Sequence, residues 1–159
     1  MDLVKGSVNT PIGRFTDASF HGSFTNEWIH GHKREDENSM IRLLTFSGTW
    51  SALPLKADTI TITNLKLPLL TTDLHSKFEL VHINQLTGSK SIQFRKGMGD
   101  LNVIFRGPLS GKDSTNAVLN GSMDVDSAAI SYQPYHFLLT DCKGRIRFKG
   151  QDLLVDRLE

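Results

Sequence analysis

The chain has 159 residues, 22% of them charged and 38% apolar, with a formal net charge of +1 at pH 7. That length suits one domain with a modest core, and the near-neutral charge excludes a nucleic-acid binder resting on many phosphate contacts. The single cysteine, Cys142, excludes an intramolecular disulfide, and no segment approaches the roughly 18 apolar residues of a membrane-spanning helix.

From the N-terminus, the run from Met1 to Gly6 already reads as a strand, and no signal peptide is visible. Gly6, Gly13 and Gly22 form no phosphate loop, because no Gly-Lys-Ser/Thr follows them. Residues 30–38 are polar and carry both charge signs, the composition of a long, poorly ordered solvated loop. Within it, His30 and His32 with Glu35, Asp36 and Glu37 form the one metal-like cluster. Structural zinc usually draws on four ligands at defined spacing, so the segment reads as an exposed loop and no metal is expected.

Period-two alternation then dominates. Ile60 and Ile62 alternate with Thr59, Thr61 and Thr63, as suits a half-buried strand rich in β-branched residues. Residues 78–86 are the best helix candidate, with Leu80, Ile83 and Leu86 three apart and Gly88 placed as a C-cap. Gly97-Met98-Gly99-Asp100 carries turn chemistry. Leu101, Val103 and Phe105 alternate with Asn102, Ile104 and Arg106. A second turn is expected over residues 108–113. Leu119, Gly121, Met123 and Val125 share one strand face, and Asn120, Ser122, Asp124 and Asp126 share the other. Gln133-Pro134 marks another turn. Cys142 reads as a small packed residue, since no activating neighbour is evident. Ile146 and Phe148 alternate with Arg145, Arg147 and Lys149, whose cations should face water. A turn at Gly150-Gln151-Asp152 leads into a last apolar strand from Leu153 to Leu158.

These patterns predict an all-β fold: an antiparallel meander of about eight to ten strands with at most one short helix. Residues 1–159 read as a single domain. A strand that starts pairing just before the chain stops suggests one unit of a longer sheet, cut from a larger chain. The sheet can be a curved groove or one layer of a closed sandwich, because both give the same alternation. Ile60, Ile62, Leu101, Val103, Phe105, Leu119, Met123, Ile146 and Phe148 form the expected apolar face, for burial or acyl-chain contact. Open sheet edges would favour pairing with strands of a parent chain or with a second copy.

Catalytic chemistry is not assembled. No Ser/His/Asp set or Gly-x-Ser-x-Gly elbow is present. Asp124 and Asp126 share one strand face, whereas a glycosidase pair lies across a cleft. A non-enzymatic protein without a cofactor is expected. An alternative from another class is a β-sandwich carbohydrate-binding or adhesion module, with Trp28, Trp50, Tyr132 and Tyr135 as an aromatic platform.

Several stretches resemble the AsmA-like proteins of Gram-negative envelopes. They are Phe46-Ser47-Gly48-Thr49-Trp50, Pro54-Leu55-Lys56-Ala57, and Ile60-Thr61-Ile62-Thr63-Asn64-Leu65 followed by Pro68. The run from Phe78 to Leu86, then Gly97, Asp100-Leu101 and Gly107-Pro108-Leu109, extends the likeness. So do Gly144-Arg145-Ile146-Arg147-Phe148 and the stretch from Asp152 to Leu158. The motifs are diffuse spacings of glycine and apolar residues. The resemblance implies a periplasmic β-rich segment, with the parent protein anchored in the inner membrane by one N-terminal helix. It further implies an apolar sheet interior that serves phospholipid transport or outer-membrane assembly.

Overall fold

The computed structural model of the chain describes residues 2–10, 13–109, 117–150 and 152–159. Nine strands form one antiparallel sheet: β1 (Asp2–Thr10), β2 (Gly13–Thr25), β3 (Met40–Trp50), β4 (Leu53–Thr63), β5 (Leu69–Glu79), β6 (Ile92–Pro108), β7 (Val118–Tyr132), β8 (Phe137–Gly150) and β9 (Asp152–Leu158). Each strand pairs with the next in sequence, so spatial order equals chain order and the sheet is an open meander. The expected all-β meander is therefore the fold. The second layer needed for a sandwich is absent among the described residues, since all nine strands belong to one sheet. No helix among them is long and apolar enough to cross a membrane.

One layer leaves much surface in water. The accessible surface is 10414 Å², where a compact monomer of this 17.8 kDa mass exposes about 8,000 Å². Burial on one face then comes from the bend of the sheet and from the short segment at Leu80 and Ile83 packed against it. Bulges supply the bend, because an extra residue kinks its strand and sharpens the local twist. Lys5, Asp17 and Thr45 have positive φ on β1, β2 and β3, and Gly97, Ser127 and Asp141 have it on β6, β7 and β8. The β1–β2, β2–β3, β6–β7 and β7–β8 ladders shift register at these positions.

This corrects the turn expected at Gly97-Met98-Gly99-Asp100, which lies inside β6 as a bulge. The same backbone freedom that serves a turn serves the bulge. Gly97 has φ +118°, and a Cβ there would stand 2.6 Å from Ala128 Cα. Gly121 is tighter still: a Cβ would overlap the Asn102 carbonyl oxygen and stand 2.7 Å from Val103 Cα.

The expected helix over residues 78–86 is shorter and starts later. Phe78 and Glu79 complete β5, Leu80–His82 make a 3₁₀ turn, and α1 covers only Ile83–Thr87. Leu80 is pulled into the core at 0% exposure, which prevents a regular helix from starting before it. Gly88 does cap α1 in the left-handed region, its N–H donating to Asn84 O at 3.1 Å. Gln133-Pro134 is a 3₁₀ turn, Gln133–Tyr135, as its turn chemistry requires. Of the turn expected at 108–113, residues 110–113 lie outside the described residues, as does Gln151 in the hairpin expected at 150–152.

The polar segment before β3 is ordered by one buried side chain rather than left loose. Asn38 is 4% exposed. Its Oδ1 accepts from Ile29 N–H at 2.9 Å, and its Nδ2 donates to the Ile29 and Lys33 carbonyls at 3.2 Å each.

Candidate functional site

The register places all nine expected apolar residues on one face. In an antiparallel ladder, directly opposed residues point to the same side. One row across the sheet runs Leu43, Ile60, Thr72, Phe105, Leu119. A second runs Leu74, Val103, Gly121, Phe148, and a third runs Ser76, Leu101, Met123, Ile146, Val155. Ile62 joins Ile41 and Leu70 in a fourth. Val103 and Met123 are buried at 5% and 7% exposure. Ile60, Ile62, Leu101, Phe105, Leu119, Ile146 and Phe148 are half-buried.

Two clusters anchor this face. Phe15, Ala18, Phe46, Leu55 and Ala57 pack on β2–β4, with Phe20, Ile60 and Leu74 against them. Leu53, Phe78, Leu80, Met123, Val125, Ala128 and Cys142 pack toward β8, with Leu101, Ile146 and Phe148 against them. Trp50 touches both clusters, so the face is continuous from β2 to β8. Between β4 and β5 the ladder pairs Lys56 with His75 and then resumes at Ile60 and Thr72. Buried Ser76 ties the two strands there, its hydroxyl donating to Pro54 O at 2.6 Å.

The opposite face is mainly polar, with Ile104 exposed among its polar side chains, and carries cross-strand ion pairs. Arg145 grips Asp124 in bidentate fashion, at 2.6 and 2.8 Å. Lys143 pairs with Asp126 at 3.0 Å, and Arg147 pairs with Asp156 on β9. The Arg145 guanidinium holds the Asp124 carboxyl below the usual carboxylate range, and Lys143 does the same to Asp126. Arg145, Arg147 and Lys149 all face water, as their alternation requires.

Asp58, Asp73 and His75 bring possible ligand atoms within 4.8 Å of one another on this polar face. Two of the three are engaged in the sheet: Asp73 Oδ1 accepts from Thr59 N–H at 3.1 Å, and His75 Nδ1 donates to Asn102 Oδ1 at 2.7 Å. We read the group as a polar network filling the β4–β5 irregularity. His30 and His32 lie in the exposed connection before β3 rather than on a strand.

The aromatic platform of the carbohydrate-module alternative does not form. Trp50 belongs to the apolar face, stacked on Phe15 at a 6.5 Å centroid distance. Trp28 follows β2, whereas Tyr132 and Tyr135 pair at the β7–β8 turn, 5.6 Å apart. That turn also carries apolar residues outside the expected apolar face. Phe137-Leu138-Leu139 is an unbroken apolar run, and all three side chains are exposed. A break in the two-residue period was the available signal. No protein-family model, curated protein or solved structure matches the chain.

Proposed function

We propose that this chain is a non-catalytic segment of an AsmA-like cell-envelope protein whose apolar sheet face shields or conducts lipid acyl chains. In this reading it works in the periplasm, in phospholipid transport or outer-membrane assembly. The supporting observation is the pairing of a one-layer sheet with a continuous apolar face. A sheet that is apolar on one side ordinarily packs that side against a second layer; here the described residues supply none beyond the short segment at Leu80 and Ile83. An acyl chain lying along the rows of Phe105, Leu119, Val103 and Phe148 gains about 0.8 kcal/mol per methylene taken out of water. The polar, ion-paired face keeps the other side of the sheet hydrated. Strands β1 and β9 each pair on one side only, so both edges can accept a further strand of the same polypeptide or of a second copy.

Organic extraction and mass spectrometry of the purified protein test this directly, together with titration of an environment-sensitive fatty-acid probe. Bound phospholipid and saturable probe binding are expected. Phe105→Glu and Leu119→Glu should each weaken probe binding about tenfold, since each places a charge among the buried methylenes. Absence of both lipid and saturable binding would overturn it.

A further inference from the structure

We propose that the β7–β8 hairpin tip is a docking point for the surface of an anionic phospholipid bilayer. Exposed apolar side chains stand on both sides of the tip. Ile92, Tyr132 and Phe137 lie opposite one another on the side continuous with the apolar face, next to Phe94, Ile130 and Leu139. Leu138 lies on the other side, opposite Ser131 and Gln93. Tyr135, at the turn itself, is 76% exposed, and Leu138 is 57% exposed. A protein partner laid on one side of the hairpin would leave the other side wet. A bilayer interface surrounds an inserted tip and covers both sides at once. Tyrosines suit that depth, with an apolar ring and a hydroxyl that stays hydrated.

The charge around the tip is complementary to such a surface. Segments 88–99 and 128–143 carry Lys90, Arg95, Lys96 and Lys143 against the single carboxylate Asp141. Asp141 is taken by Lys96 at 2.8 Å, and Lys143 by Asp126. Lys90 and Arg95 are exposed and make no ion pair among the described residues. The tip is tied to the Lys90 loop, because Gln133 N–H donates to Ser91 O at 2.8 Å. Exposed cations beside an apolar insertion add electrostatic attraction to anionic lipid, an attraction that salt weakens. The proposal stands whether or not the sheet carries acyl chains. It assigns the membrane contact to the tip alone.

Flotation with vesicles of phosphatidylcholine, with and without phosphatidylglycerol, tests it. The protein should float with the anionic vesicles, less at high salt, and poorly with phosphatidylcholine alone. Tyr135→Ser/Leu138→Ser should reduce flotation about tenfold or more, and Lys90→Gln/Arg95→Gln should remove the preference for anionic lipid. Both variants change exposed side chains, so circular dichroism should be unchanged and fatty-acid probe binding should persist. Loss of probe binding with flotation intact would count against the acyl-chain reading and leave the tip proposal standing. Flotation unaffected by the tip variant would overturn the tip proposal. So would a dimer in sedimentation velocity that the tip variant dissociates, since a second copy would then be the occupant.

Discussion

On strands β5–β8 the apolar face is partly roofed, because Leu80 and Ile83 fold back over it from the turn after β5. The Phe15–Phe46 cluster of β2–β4 has no such element in it among the described residues, and Phe15, Phe46 and Trp50 cover the sheet there by lying on one another and on Ala18 and Ala57. Phe15 and Phe46 meet edge to face at 5.7 Å, a favoured aromatic geometry. The roofed half encloses its core. The unroofed half depends on ring packing over small residues and on the bend of the sheet. A single-layer sheet can thus reach core-like burial by two routes, and they should fail differently.

The largest expected effect lies at the backbone of the roofed half. Gly121→Val forces a Cβ into the Asn102 carbonyl and should cost more than about 3 kcal/mol. Urea unfolding measures it, and wild-type stability would remove the claim of a close β6–β7 approach. Next comes Leu80→Ala, at about 3–4 kcal/mol, because the fully buried side chain leaves an enclosed cavity. Phe46→Ala removes more atoms from a side chain that is 7% exposed rather than fully enclosed, and should cost about 3 kcal/mol. Hydrogen exchange sharpens the contrast. Leu80→Ala should speed exchange in β6 and β7 and spare β2 and β3, and Phe46→Ala should do the reverse. Equal acceleration in both halves would mean that the sheet is one cooperative core.

The smallest effect belongs to the polar face. The carboxyls of Asp124 and Asp126 are held below their ordinary range by Arg145 and Lys143. A depressed folded-state pKa adds stability above the unfolded value, near 3.9, and that contribution is lost as pH falls through the folded value. Both pairs are exposed, so the loss should be small and reduced by salt. Asp124→Asn should flatten the acid limb of stability against pH without moving the neutral plateau by much.

The strands and their apolar face were legible because a half-buried strand writes burial into a two-residue period. Ile60 and Ile62, then Leu101, Val103 and Phe105, carry that period plainly. Turn chemistry was less decisive. Gly97 supplies positive φ to a bulge as readily as to a turn, so its dipeptides misplaced a strand break. The β3–β4 hairpin was silent for the opposite reason: Ser51 and Ala52 take φ of 48° and 67° without a glycine or asparagine to announce them. Leu80 sat at helical spacing with Ile83, and only its pull into the core shows why the helix begins later. Asn38 lay in a run that reads as solvated, and its burial depends on carbonyls at Ile29 and Lys33 that no local pattern reveals.

The central claim is that the apolar face meets acyl chains, and photocrosslinking reads it residue by residue. A phospholipid with a diazirine on its acyl chain should label Ile60, Ile62, Phe105, Leu119 and Phe148, and spare Asn102, Ser122 and Arg147 on the opposite face. Adducts spread equally over both faces, or absent from the first set, would contradict the account.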